Sequence, residues 1–292
     1  MHEQVAKLLI CPVCRRSLIF EGKKTDNHLV DGYLKCDLGH LYQVKEEIGL
    51  LKDAKLSANE FEWKVDVTDE KRYDEIRRRY DSYFQKNQKA AQRRMLRRLV
   101  GMVASSCKES DNMVLDIATG MGTFILPLAE KSANMLLIGT DIDEKPLRGA
   151  MNKAKRTNTW HKLSLMVMDA KHLALKNDGL LTVTSYFGFD NVPETDFAFG
   201  ETARVLRAGG RVFFSSLWLK EGSESMRLAD KHNVCQIASE RRLKKALNRA
   251  GLTLEHVEEI YSGIWPHNPM DLLPVEGDEY KHVIVQATKV ED

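Results

Sequence analysis

From Met113 onward, short apolar runs alternate with helix-length amphipathic stretches, and no other feature constrains the fold as much. Met113–Ile117, Met135–Thr140, Leu163–Met168, Leu180–Tyr186 and Arg211–Leu217 read as strands, being apolar and too short for helices. The stretches between them read as helices over Thr123–Lys131, Glu144–Arg156 and Glu194–Arg207, the last stopped by Gly209-Gly210. A helix over Ser239–Ala250 and two final strands, Leu252–Tyr261 and Tyr280–Thr288, complete the pattern. Strands alternating with helices predict a parallel sheet covered on both faces, a doubly wound α/β fold. Such sheets bind ligands beyond the carboxyl ends of their strands.

The informative residues fall at those ends. Gly120 and Gly122 follow the first strand and open a helix, where bare backbone can approach a ligand. Asp141 ends the second strand, 21 residues after Gly120, where a carboxylate can accept both hydroxyls of a ribose. Asp169 ends the third and can receive an adenine amino group. Three strand ends thus outline an adenosine-sized crevice. A nicotinamide dinucleotide is the first competitor, but its fingerprint wants Gly or Ala at the sixth position, and Ile125 stands there. Asp116, on the strand before the loop, suits a cationic ligand better than a diphosphate. That favours S-adenosylmethionine, which carries a sulfonium and an amino acid instead.

VLDIATGMGTF, GTDID, VMDA and ARVLRAGGRVFFSSLW resemble the successive motifs of class I S-adenosylmethionine-dependent methyltransferases. The resemblance spans about residues 70–290 and implies a seven-stranded Rossmann-like sheet with its last strand antiparallel. It implies cofactor contacts at Asp116, Gly120, Gly122, Asp141, Ile142, Asp169, Ala170 and Ser185. Tyr73-Asp74 and Tyr80-Asp81 look like the lid helix of that family, which places Tyr73 and Tyr80 over the cofactor. The fourth strand runs into SYFGFDNVP, the segment that should face the transferred methyl. Tyr186, Asp190 and Asn191 are the candidates for orienting the acceptor there, although Asp190 or Asn191 could equally cap the helix begun near Pro193. The segment lacks the Asn/Asp-Pro-Pro-aromatic motif of enzymes that methylate exocyclic amino groups of bases, and GFDNVP looks closer to quinone-biosynthesis C-methyltransferases.

The front of the chain carries a different chemistry. Cys11-x2-Cys14 and Cys36-x3-His40 are two ligand pairs, 21 residues apart, and zinc takes four such N or S ligands in a tetrahedron. The stretch between reads as a hairpin with too few apolar residues to fold alone, so a structural metal would stabilise it. LLICPVCRRSL and GYLKCDLGHLYQVKEEIGLLKD resemble the zinc ribbon of small methyltransferase-activator subunits, and that of large-subunit rRNA guanine-N1 methyltransferases, which close the site with His as here. Cys107 and Cys235 lie elsewhere and read as inert thiols.

Residues 69–104 read as helix, with Tyr73, Ile76, Tyr80, Tyr83 and Phe84 lining one face and a bend at Asn87. Net charge is +2 for the whole chain but +5 over residues 61–98. Arg77, Arg78, Arg79, Arg93, Arg94, Arg97 and Arg98 read as a solvated basic face or as a footprint for RNA phosphates. With 43% hydrophobic and 29% charged residues, wholesale disorder is excluded. No apolar run spans a membrane, and the N-terminus lacks the pattern of a signal peptide, so a cytoplasmic setting is expected. Three parts are expected: a zinc ribbon over 1–55, a linker with lid helices over 56–106, and an S-adenosylmethionine-binding domain over 107–292. The expectation is a methyltransferase acting on a small molecule. An rRNA or tRNA base methyltransferase is the alternative, and a nonenzymatic RNA- or protein-binding scaffold is the reading from another class.

Overall fold

A computed structural model describes residues 1–52, 70–107, 113–132 and 134–290. Residues 56–69 of the expected linker and lid segment therefore lie outside the described residues. The chain opens with a one-turn helix, α1 (Glu3–Ala6), and four strands: β1 (Ile19–Thr25), β2 (His28–Lys35), β3 (Leu41–Lys45) and β4 (Ile48–Leu50). Two helices follow, α2 (Glu70–Ser82) and α3 (Lys86–Ser106). The alternating part runs β5 (Met113–Ile117), α4 (Ile125–Lys131), β6 (Leu136–Asp141), α5 (Glu144–Arg156), β7 (Leu163–Val167) and β8 (Leu180–Tyr186). It continues through α6 (Thr195–Val205), β9 (Leu206–Leu219), α7 (Glu224–His232), α8 (Glu240–Arg249), β10 (Leu252–Ile264) and β11 (Glu279–Lys289).

All strands join one eleven-stranded sheet in the order β1-β2-β3-β4-β7-β6-β5-β8-β9-β11-β10. The seven strands β7 to β10 form the expected doubly wound unit, in which β11 runs antiparallel to both its neighbours. The ribbon strands extend that unit, because β4 pairs parallel with β7 through Gly49↔Met166 and Leu50↔Val167. A ribbon set apart from the sheet was the expectation; the structure instead shows one continuous ladder. The core is continuous too. Leu9, Leu29, Leu34 and Cys36 share a buried apolar cluster with Met166, Met168, Leu175 and Leu115. Val13, Ile19, Leu38 and Leu41 stay exposed, but Leu9, Leu29, Leu34 and Cys36 are buried with residues of the sheet, which relieves the shortage read from sequence.

Three local expectations are corrected. The helical run over 69–104 breaks at Tyr83–Gln85, where Gln88 Oε1 accepts from Gln85 N (2.8 Å), and not at Asn87. Gly209-Gly210 do not stop a helix. α6 ends at Val205, and residues 207–210 bulge out of β9 between the pairs Leu180↔Leu206 and Thr182↔Arg211. The short helix α7, capped by Ser223 Oγ on Met226 N, is not among the expected elements, since only two apolar residues, Met226 and Ala229, mark its buried face in a largely polar stretch. Among the described residues no helix is long and apolar enough to cross a membrane.

Candidate active site

A cavity of about 570 Å³ opens where the parallel strands end. Its floor comes from the loops after β5, β6, β7 and β8, and its roof from α2 together with Met270 and Asp271 of the β10–β11 connection. The first loop turns sharply: Ala118 (φ 55°) and Gly120 (φ 54°) both take left-handed backbone. That conformation costs an Ala about 1–2 kcal/mol and a Gly nothing. Gly120 has open space where a Cβ would stand, so the ligand side is bare backbone. Its N–H donates to Asp141 Oδ2 (2.8 Å), tying the first strand end to the second. Asp141 is buried, and its Oδ1 accepts from Asp143 N (3.1 Å). Burial raises its carboxyl above the usual range, against the pull of these backbone donors. Asp169 is likewise buried on the cavity wall, with Oδ1 accepting from Lys171 N (2.8 Å).

Gly120, Asp141, Ile142, Asp169 and Ala170 all line this one cavity, together with Tyr73 and Tyr80. Tyr186 and Asn191 line it as well. Tyr186 stacks on Phe124 (6.4 Å between centroids) and meets Phe187 edge-on (5.0 Å). Burial pushes its phenol up to about 12, with Arg77 opposing. Asn191 donates to Phe187 O (3.0 Å), and its side chain is exposed at the mouth.

Four expected site residues do not reach the cavity. Asp116 lies on the interior strand β5, 2% exposed, where its oxygens accept from Thr119 Oγ1 and Thr184 Oγ1 (both 2.9 Å). Burial pushes this carboxyl up to about 7. It holds Thr119, which does line the cavity. Gly122 (φ 80°) faces inward: a Cβ there would stand 2.8 Å from Leu126 Cγ and 3.3 Å from Ala150 Cβ. Its need is packing between loop and helices, so it carries no argument against a mere scaffold. Ser185 is fully buried and donates to Ile117 O (2.8 Å). Asp190 is withdrawn from the acceptor-orienting set. Its two oxygens accept from Ser216 Oγ (2.8 Å) and Leu217 N (3.0 Å), pinning the turn after β8 onto β9, and burial raises it to about 7.

Sequence reasoning missed Thr119, Lys171, Phe187, Met270, Asp271 and the cavity role of Arg77. The first three adjoin residues it singled out. Met270 and Asp271 lie in a turn-rich stretch with no motif, and reach the site only because β10 and β11 carry their connection over it. Asp271 accepts from Tyr80 and from Asn268 Nδ2 (2.7 Å), and burial raises it to about 6. Arg77 pairs with Asp81 (3.1 Å) and faces the cavity mouth, so it leaves the presumed RNA footprint. Arg94 donates to Ile260 O, and Arg98 pairs with Glu258 (2.9 Å). Arg78 Nε donates to Asp74 O (3.2 Å) and Arg79 hydrogen-bonds Tyr83, so five of the seven arginines are engaged by this chain.

At the far edge of the sheet, the ligand atoms of Cys11, Cys14, Cys36 and His40 all lie within 4.8 Å of one another. Cys14 Sγ is 3.7 Å from Cys36 Sγ, and His40 Nδ1 is 3.2 Å from Cys36 Sγ and 3.6 Å from Cys11 Sγ. A tetrahedron with metal–sulfur bonds of about 2.3 Å has edges of roughly 3.8 Å, so the four groups fit zinc. The Tyr42 hydroxyl lies 3.2 Å from Cys11 Sγ, outside that tetrahedron.

Residues 114–210 match the family model described as a methyltransferase domain. A 102-residue stretch is 35% identical to the ubiquinone/menaquinone biosynthesis C-methyltransferase UbiE of Rickettsia massiliae, covering 34% of this chain and 41% of that enzyme. The chain thus aligns with about two fifths of the length of the curated relatives it matches. A geranyl diphosphate methyltransferase in complex with S-adenosylmethionine superposes with a TM-score of 0.54 at 14% identity, over 67% of this chain and 84% of that one. The [4+2]-cyclase SpnF superposes with a TM-score of 0.53 at 18% identity, over 67% and 81%. A shared fold that serves a methyltransferase and a cyclase establishes architecture alone. The seven-strand unit is therefore the Rossmann-like fold of methyltransferases, extended here by a four-stranded ribbon.

Proposed function

We propose that this protein is an S-adenosylmethionine-dependent methyltransferase acting on a small-molecule acceptor. One observation carries the reading: Gly120, Asp141 and Asp169, from three successive strand ends, converge on a single cavity inside the segment that matches a methyltransferase domain. In this reading Asp141 accepts the ribose hydroxyls, Asp169 and Ala170 receive the adenine, and Gly120 offers backbone beside the amino-acid portion. Tyr73 and Tyr80 close the roof. The cofactor supplies a methyl group already activated by a sulfonium, so the protein's task is to position the acceptor in line and exclude water. Tyr186 and Asn191 hold that acceptor, Tyr186 by its ring face and hydroxyl, Asn191 by its amide at the mouth.

A small acceptor suits the two similar proteins, a ubiquinone/menaquinone biosynthesis C-methyltransferase and a geranyl diphosphate methyltransferase. The basic helices offer RNA few unengaged arginines. The ribbon then serves as structure, with Cys11, Cys14, Cys36 and His40 holding one zinc in a closed site without catalytic access. On this reading residues 1–55 are the ribbon, 56–106 the linker and lid, and 107–292 the catalytic unit.

Calorimetry tests the cofactor assignment. S-adenosylhomocysteine should bind and NAD should not. Asp141→Ala removes charge-assisted hydrogen bonds worth about 1.5–3 kcal/mol, or roughly one to two decades in affinity. Unchanged affinity in that variant, or tight NAD binding, refutes the assignment. Labelled methyl transfer to quinols, phenols and isoprenoid diphosphates would then separate acceptor classes.

A further inference from the structure

Between β7 and β8 the chain runs from Met168 to Gly179 without a strand or helix. Its first four residues, Met168, Asp169, Ala170 and Lys171, line the cavity. Irregular backbone must still pair its polar groups when buried, and Leu173, Ala174 and Leu175 are buried. Their partners come from the ribbon. Ile10 N donates to Ala174 O (3.0 Å), Lys176 N donates to Leu8 O (2.9 Å), and Leu9 bridges Leu175 in antiparallel fashion. On the other side of the cavity segment, β4 pairs with β7, and Leu51 N donates to Val167 O (2.9 Å). The ribbon grips this chain segment both before Met168 and after Lys171.

Arg15 completes the grip. It follows the Cys11–Cys14 knuckle directly, in left-handed backbone (φ 62°), and its N donates to Cys11 O (2.8 Å). That turn aims its guanidinium away from the ribbon. Nη1 donates to Leu173 O (3.0 Å), and Nη2 reaches Glu201 Oε1 (3.4 Å). Glu201 Oε2 accepts from Leu173 N (2.8 Å), and Arg204 donates to Leu173 O (2.9 Å) and Leu175 O (2.7 Å). Two guanidiniums and one carboxylate thus fix both polar backbone groups of Leu173, four residues from Asp169. Among the described residues only Arg15 joins this network to the metal-type knuckle.

We propose that Arg15 is a positioning residue for the cofactor. The knuckle at Cys11–Cys14 sets Arg15, Arg15 sets Leu173, and Leu173 holds the loop that presents Asp169 and Ala170. The ribbon thus supports the cofactor loop from outside the cavity. The inference rests on the cofactor reading above, and two readouts separate them: affinity for S-adenosylhomocysteine, and amide hydrogen exchange over residues 169–176 without ligand.

Arg15→Met should raise the dissociation constant for S-adenosylhomocysteine about tenfold, the scale of one charge-assisted hydrogen bond. It should speed exchange over 169–176 while moving the melting midpoint by no more than about 2 °C. Arg15→Lys, which can keep a donor on Leu173 O, should fall between Arg15→Met and the wild type. Unchanged affinity and exchange in Arg15→Met overturn the proposal. So does an affinity loss matched by a general loss of stability, since that is a structural effect only. A wild-type protein that fails to bind S-adenosylhomocysteine refutes the cofactor reading, and exchange in Arg15→Met then decides the clamp alone.

Discussion

The floor and the roof of the cavity are built on different principles. The floor is a row of strand ends, and its two carboxylates are fixed by backbone N–H groups of the same loops: Gly120 N and Asp143 N on Asp141, Lys171 N on Asp169. The roof joins segments almost 200 residues apart. Tyr80 on α2 meets Asp271 from the β10–β11 connection, and Phe84 stacks edge-on against Trp265 (5.2 Å). A floor of this kind holds its shape before any ligand arrives. A roof held by two side-chain layers can part without breaking a single ladder, which suits it to admitting and releasing ligands. Changes to the floor should therefore alter cofactor affinity, and changes to the roof should spare it.

The largest test bears on the floor's outer support. If the ribbon were a separate unit, Cys14→Ser would unfold it and leave the sheet untouched. The continuous ladder from β4 to β7 and the shared core argue otherwise. Structural zinc contributes folding energy directly, so losing a ligand should lower stability by about 3–5 kcal/mol, or roughly 10 °C in midpoint for a chain of this size. We expect one transition, shifted down, with faster exchange in β2–β4 and residues 169–176. Two separate transitions, with the sheet midpoint unmoved, would show that the ribbon stands alone.

The same contrast decides what could be read beforehand. Strand ends were legible because Gly120, Asp141 and Asp169 terminate apolar runs, and a residue type at a strand end has one place to go in a parallel sheet. The clustering of Cys11, Cys14, Cys36 and His40 was legible because the spacing within each pair is local. Asp116, Ser185 and Asp190 were misjudged for a common reason. Each belongs to a strand or to the turn just after one, and sequence gives no sign whether its side chain faces the ligand or the neighbouring strand. In all three it faces the neighbour. Arg77 was counted with a solvated face because helical periodicity names faces without saying which cavity each overlooks. Asp271 had no local signal at all. The ribbon's fusion to the sheet was also hidden, since edge pairing between β4 and β7 joins residues more than 100 positions apart.

Two glycines on one turn of the floor give a sharper test. Gly122→Ala places a methyl 2.8 Å from Leu126 Cγ in left-handed backbone, so both strain and overpacking apply. A loss of about 2–3 kcal/mol is expected. Gly120→Ala has the same backbone strain and open space, so about 1 kcal/mol is expected. Affinity should rank the other way. The Gly120→Ala methyl points into ligand space and should weaken S-adenosylhomocysteine binding, whereas Gly122→Ala, measured well below its midpoint, should bind nearly as wild type. Equal effects in both assays would mean that the loop does not distinguish a ligand side from a packing side.

The smallest effect belongs to the roof and concerns pH. Burial raises the Asp271 carboxyl to about 6, against the hydrogen bond from Tyr80. An unfolded Asp titrates near 3.9. Between these values the folded chain holds more protons than the unfolded one, so the contribution of Asp271 to stability falls as pH rises from about 4 to about 6 and is constant above that. Asp190 and Asp116 are raised to about 7 and slope in the same direction, so the quantity to measure is the difference between wild type and variant. Asp271→Asn keeps an acceptor for Tyr80 and cannot ionise. It should remove that decline, about 1 kcal/mol once solvent screening of this part-exposed carboxyl is allowed for, making the variant the more stable of the two at pH 7 relative to their difference at pH 4. Denaturant melts at half-unit intervals of pH would resolve it. Cofactor affinity should stay within about twofold of wild type across the range. If it falls with the substitution, Asp271 takes part in holding the cofactor, and the division between a binding floor and a closing roof is wrong at that residue.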